Sequence, residues 1–130
     1  LSPYQKYTVM NNILIVDDEP NIVMSLEYLM RSKGLDVSIA RNGSEAIEQL
    51  EAKRFNLVLL DITMPDVDGY EICLMIKNLP QWKQTHVVFL SAKSKQSDIE
   101  KGMSLGATDY IVKPFSTKEL SARILQIIQG

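Results

Sequence analysis

Three aspartates stand out as residues whose type and placement suggest chemistry. Asp17 and Asp18 follow the apolar run Ile13-Leu14-Ile15-Val16, and Asp61 follows Leu57-Val58-Leu59-Leu60. Two further runs end on groups of complementary character: Val87-Val88-Phe89-Leu90 leads into Ser91, and Tyr110-Ile111-Val112 leads into Lys113-Pro114. If these runs are neighbouring strands, their ends bring three carboxylates, a hydroxyl and an ammonium into one pocket. Carboxylates that close repel one another unless a cation lies among them or some are protonated. A hard divalent ion resolves this. Mg²⁺ suits, with Mn²⁺ as the alternative, because it takes oxygen ligands from one or two carboxylates and keeps water and phosphate oxygens around it. With such an ion and Lys113 neutralising an incoming phosphate, an aspartate carboxylate can attack phosphorus and form an acyl phosphate. Taken singly, each residue has a plainer reading. Asp-Asp before proline is often only a turn and helix start, Lys113 alone is an ordinary exposed lysine, and Tyr110 an ordinary strand aromatic.

The elements that must position these groups alternate along the chain from Asn12. Short apolar runs and helical patterns follow one another in five βα units, which predicts a parallel α/β sheet. The runs at 13–16, 57–60 and 87–90 are apolar without alternation, as expected of strands covered on both faces by helices. Val37-Ser38-Ile39 and Tyr110-Ile111-Val112 are weaker and belong nearer the sheet edges. Ile22, Leu26, Leu29 and Met30 predict a first helix that starts at Pro20 and ends at Gly34. Ala46, Ile47 and Leu50 mark a second, and Ile72 to Leu79 a third that stops at Pro80. A short fourth spans Ile99 to Leu105 before Gly106, and a fifth opens at Ser116 or Thr117 and carries Leu120, Ile124, Leu125 and Ile128. In open sheets of this kind the ligand site lies beyond the carboxyl ends of the strands, where the strand order reverses. That is where Asp17, Asp18, Asp61, Ser91 and Lys113 fall. No glycine-rich nucleotide-binding motif occurs.

Bulk properties bound the remaining possibilities. A chain of 130 residues is about one domain long. With 45 % hydrophobic and 23 % charged residues it has the balance of a soluble globular protein. A net charge of −2 disfavours direct nucleic-acid binding by this chain alone. The single cysteine, Cys73, allows no internal disulfide and reads as core; no apolar run approaches the roughly 18 residues of a membrane span. A cytoplasmic location is expected. Residues 1–11 read as a tail, a linker or a cloning remnant, with Met10 as a candidate native start. His86 is expected at the surface, and Trp82 as a packing anchor.

Five motifs together carry a family resemblance: V-D-D-E-P at Val16 to Pro20, L-D-I-T-M-P-x-x-D-G at Leu60 to Gly69, L-S-A at Leu90 to Ala92, G-A-T-D-Y at Gly106 to Tyr110, and K-P-F at Lys113 to Phe115. In these the chain resembles a response-regulator receiver domain of two-component signal transduction, over residues 12–130. The resemblance implies a flavodoxin-like (βα)5 fold with strand order 2-1-3-4-5. It implies that Asp61 is the phosphoacceptor, and that Asp18, Asp61 and the backbone carbonyl of Thr63 coordinate Mg²⁺ while Asp17 assists through water. Ser91 would then bond the phosphoryl oxygens, Lys113 would pair with them, and Tyr110 would turn inward as Ser91 is drawn toward the phosphate. Pro114 is associated in the family with a cis bond, and Thr63 and Lys93 with the lifetime of the phosphate. Output is expected through the fourth helix, fifth strand and fifth helix, including Met103 and Tyr110.

The implied protein is a signalling switch in a phosphorelay. It would be no enzyme apart from catalysing its own phosphorylation and dephosphorylation. A phosphohydrolase of the haloacid dehalogenase type would need a second acidic residue two positions after the nucleophile, where this chain has Thr63. A binding scaffold with the same fold would tolerate a degraded acidic pocket, and here every group is present. The expected partners are a sensor histidine kinase or histidine phosphotransfer protein, and an output partner or fused output domain. A phosphorylation-dependent homodimer is a further expectation. The chain would be a stand-alone receiver or part of a longer regulator or hybrid kinase. Met24 and Tyr28, at i,i+4 on the first helix, either dock the phosphodonor or merely broaden the buried stripe.

Overall fold

The computed structural model describes residues 11–130, so the expected tail and the Met10 start lie outside the described residues except for Asn11. The five expected strands form as β1 (Asn12–Val16), β2 (Asp36–Ala40), β3 (Leu57–Leu60), β4 (His86–Ser91) and β5 (Asp109–Val112), all parallel in the order β2-β1-β3-β4-β5. Successive residues of a strand point to opposite faces. Leu14, Val16, Val58, Leu60, Val87 and Phe89 accordingly enter one core, and Ile13, Ile15, Leu57, Leu59, Val88 and Leu90 the other. Both faces are dry, which is why these strands read as unbroken apolar runs. The weaker runs are the two edge strands, β2 and β5.

Helices α1 (Pro20–Ser32) and α5 (Thr117–Gln129) cover one face. Helices α2 (Gly43–Ala52), α3 (Gly69–Asn78) and α4 (Gln96–Ser104) cover the other. Their ends follow local chemistry. Pro20 opens α1, and Gly34, at φ 82°, takes the left-handed turn after it. Asn42, Asp68 and Ser116 accept backbone N–H bonds at the starts of α2, α3 and α5. Helix α3 ends at Asn78 because Leu79 precedes proline and is extended. Helix α4 begins at Gln96, three residues before the expected Ile99. Its first turn, Gln96-Ser97-Asp98, has no apolar residue to show periodicity, and it is set instead by Asp98 accepting the Lys95 N–H at 3.2 Å.

The ladder carries on one residue past several strand ends, and those residues are candidates for the site. Asp17 N–H donates to Ala40 O at 3.1 Å, Asp61 N–H to Val16 O at 2.9 Å, and Lys113 N–H to Ser91 O at 2.8 Å. Each group is thus held on rigid backbone. Residues away from this end have packing roles: Cys73 is fully buried, its thiol pushed up to about 11 by burial, and Trp82 is buried with its indole N–H on Leu50 O at 3.1 Å. His86 opens β4 at a partly exposed position, and its Nδ1 lies 2.8 Å from Thr108 Oγ1.

Candidate functional site

At the carboxyl end of the sheet the strands deliver Asp17, Asp18 and Asp61 together. Carboxylate oxygens from the three lie within 4.8 Å of one another. Asp17 is 1 % and Asp61 6 % exposed, while Asp18 is open to solvent. Asp61 Oδ1 accepts the Ile62 N–H at 2.8 Å. Burial pushes the Asp61 carboxyl up to about 6; the charge of Asp17 adds to the rise and that of Lys113 opposes it. So much negative charge with so little water is unfavourable unless a cation joins it. Three carboxylates beside the exposed Thr63, on the same cleft, form an all-oxygen donor set of the kind a hard divalent ion takes.

The cleft over Asp61 has a volume of about 350 Å³ and is bounded by Asp18, Glu19, Thr63, Ser91, Lys93 and Lys113. Ser91 is buried, and its Oγ accepts the Lys93 N–H at 3.1 Å. Lys113 reaches into the acidic cluster. Its Nζ donates to Asp17 Oδ2 at 2.7 Å and to Glu19 Oε1 at 3.0 Å, and its peptide bond to Pro114 is cis. Burial disfavours its charge, yet the bonds to Asp17 and Glu19 outweigh this and hold the ammonium above the ordinary lysine value. Sequence reasoning gave Glu19 no role in the site. The available signal was the third acidic residue directly after Asp17-Asp18.

Tyr110, the expected switch residue, is buried. Its ring lies 5.8 Å from that of Phe89 and against Gly102, and its hydroxyl donates to Lys93 O at 2.7 Å. The aromatic is therefore already inward in this structure. Met103, on the same face, is exposed. The Lys93 peptide is touched from both sides, by Ser91 at its N–H and by Tyr110 at its carbonyl. Met24 and Tyr28 are 68 % and 79 % exposed, which removes the reading that they widen the buried stripe of α1.

A sequence model of the response regulator receiver domain matches residues 13–125. The chain belongs to that family. It is the receiver domain of a two-component response regulator, a phosphoacceptor class whose members generally bind Mg²⁺ and which is not one of metabolite-converting enzymes. The receiver domain is 41 % identical over 118 residues to the alkaline phosphatase synthesis transcriptional regulatory protein PhoP of Bacillus subtilis, covering 90 % of this chain and 48 % of that protein. It is 43 % identical over 117 residues to the probable transcriptional regulator ycf27 of Porphyridium aerugineum, with the same coverage. The chain thus spans about half the length of the curated relatives it matches. Among solved structures, the BeF3-activated DrrB receiver domain superposes with a TM-score of 0.86 at 32 % identity, covering 94 % of this chain and all of that one. The receiver domain of a signal transduction histidine kinase from Syntrophus aciditrophicus gives 0.85 at 31 % identity, covering 92 % and 91 %. Among the described residues no helix is long and apolar enough to cross a membrane.

Proposed function

We propose that this domain accepts a phosphoryl group on Asp61 from a sensor histidine kinase or a histidine phosphotransfer protein. The observation that supports it best is the placement of Asp61: a buried carboxylate at the base of a cleft, flanked by Asp17 and Asp18 and within reach of Ser91 and Lys113. An Asp61 oxygen forms a bond to phosphorus while the donor's bond to phosphorus breaks; with acetyl phosphate the leaving group is acetate. Asp18, Asp61 and the Thr63 carbonyl would hold Mg²⁺, with Asp17 acting through water. When bound, the ion offsets the charge of the transferring group. Lys113 pairs with the phosphoryl oxygens and Ser91 donates its hydroxyl to one of them.

Readout runs from Ser91 to the α4, β5 and α5 face. A Ser91 hydroxyl drawn to the phosphoryl group leaves the Lys93 N–H, and Tyr110 holds the carbonyl of the same residue. The loop into α4 therefore feels both groups. The receiver of the signal is an output partner or a fused output domain, and a homodimer formed on phosphorylation is one form it takes.

Incubation with Mg²⁺ and acetyl phosphate tests the acceptor directly. The wild type should gain a hydroxylamine-labile adduct of about 80 Da, and Asp61→Asn should gain none. A wild type that binds no Mg²⁺ and gains no adduct would sink the reading. The exposed Met24 and Tyr28 support a donor docking on α1. Replacing both with serine should slow transfer from the protein donor by roughly tenfold, the equivalent of about 1.4 kcal/mol of lost contact. Labelling by acetyl phosphate should be spared. Equal loss with both donors would mean a damaged fold instead of a lost docking site.

A further inference from the structure

We infer that Glu19 is a positioning residue that holds the Lys113 ammonium back from Asp61 until a phosphoryl group arrives, and so sets the rate of phosphorylation but not the lifetime of the product. This rests on the reading of Asp61 as the acceptor and Lys113 as the phosphoryl partner. Among the described residues Lys113 makes ion pairs with Asp17 and Glu19 and none with Asp61. Two of the three N–H groups of the ammonium are thus held by Asp17 and Glu19, and drawing Lys113 onto a phosphoryl group at Asp61 pulls against these bonds.

The two bonds differ in character. Asp17 is buried and its contact is the shorter, and its Oδ1 also accepts the Glu19 N–H at 2.9 Å, so that pair is part of the rigid floor. Glu19 is different. Its backbone occupies the N-cap position of α1, where a side chain ordinarily bonds the first free N–H groups, but its carboxylate makes no such cap bond. It reaches instead across the cleft to Lys113, 94 residues away in sequence. The Glu19 side chain is 58 % exposed and that of Lys113 only 10 %, so the pair is open to water on the Glu19 side alone. A solvent-screened pair of this kind is readily broken. Its loss changes an equilibrium by no more than about fivefold.

The bond exists only before the phosphoryl group arrives. Once Lys113 has moved to the phosphoryl oxygens, Glu19 has no partner there and no further leverage on hydrolysis. Removing the tether should therefore act on formation of the adduct and leave its decay alone. Glu19 also adds negative charge at the mouth of the cleft, which would repel an anionic donor without touching Lys113. The two effects separate by length. Aspartate keeps the charge but is one methylene shorter and cannot span to Lys113.

The test is the rate of adduct formation with Mg²⁺ and acetyl phosphate in wild type, Glu19→Ala and Glu19→Asp, followed by decay after the donor is removed. Both variants should label about two- to fivefold faster than wild type, with decay unchanged. Neither substitution removes a cap bond or a buried group, and thermal melts confirm folding. If Glu19→Asp labels like wild type while Glu19→Ala is faster, the charge alone is at work and the tether is overturned. It is equally overturned if both variants match or lag wild type, or if decay accelerates in step with formation. Failure of the acceptor assignment looks different: wild type gains no adduct, or Asp61→Asn keeps one.

Discussion

Asp61→Asn melts higher than wild type at about pH 7.5, by roughly 8 °C, and the margin closes as the pH is lowered toward about 4. Burial lifts the Asp61 carboxyl from 3.8 to about 6. Between those values the folded protein keeps a proton that the unfolded chain has lost, so this group's contribution falls as pH rises through that window. Above it the ionised, poorly hydrated carboxylate costs about 2–3 kcal/mol relative to a neutral group. Asparagine is nearly isosteric, stays neutral and still accepts the Ile62 N–H, so it sheds the cost and keeps the bond. Mg²⁺ should act in the opposite sense on the two proteins. It raises the wild-type melting temperature, by the equivalent of about 2.7 kcal/mol at a hundredfold excess over its dissociation constant, and raises that of Asp61→Asn much less. Paired melts at both pH values, with and without Mg²⁺, decide the matter. A variant no more stable than wild type at neutral pH would show that the carboxylate is not strained where it stands.

The same charge explains what was legible in the sequence. Asp17, Asp18 and Asp61 could be brought together on paper because the Asp17-Asp18 pair and Asp61 each directly follow an apolar run, and parallel pairing fixes the register of those runs. Strand interiors were legible because both sheet faces are dry, and Val37-Ser38-Ile39 was legible as an edge because its pattern is broken by a polar residue. Side-chain partnerships that cross the chain were not. Nothing in the spacing pairs Glu19 with Lys113, or sets the Tyr110 ring against Phe89 and Gly102. The first turn of α4 was hidden because it is polar throughout. Exposure of Met24 and Tyr28 was undecidable for the same reason: periodicity shows which side of a helix is apolar, not where the neighbouring element stops covering it.

Gly69→Ala loses the site and the fold together, and it does so through backbone. A Cβ at Gly69 would lie 2.2 Å from the Asp61 carbonyl oxygen, 2.7 Å from Ile62 Cα and 3.0 Å from the Asp61 carbonyl carbon. None of these atoms is the free end of a side chain, so nothing can swing aside. Either α3 withdraws from the end of β3, breaking the Gly69 N–H bond to Ile62 O, or the segment carrying Asp61 and Thr63 shifts. Overpacking of this severity costs about 3 kcal/mol or more. Because the displaced atoms include the backbone around Asp61, whatever fraction remains folded should also bind Mg²⁺ more weakly. Gly102→Ala is the control. There the Cβ would meet only ring edges, at 3.0 Å from Phe89 and 3.1 Å from Tyr110, and rings can tilt by the few tenths of an ångström required. The gain of about 1 kcal/mol in helix propensity offsets that crowding, so this variant should stay within about 1 kcal/mol of wild type. Urea midpoints and Mg²⁺ titrations of the two variants give the comparison. A Gly69→Ala protein with the wild-type midpoint would show that α3 is free to move away from the end of β3, and that the close approach of glycine to Asp61 is not what fixes the site.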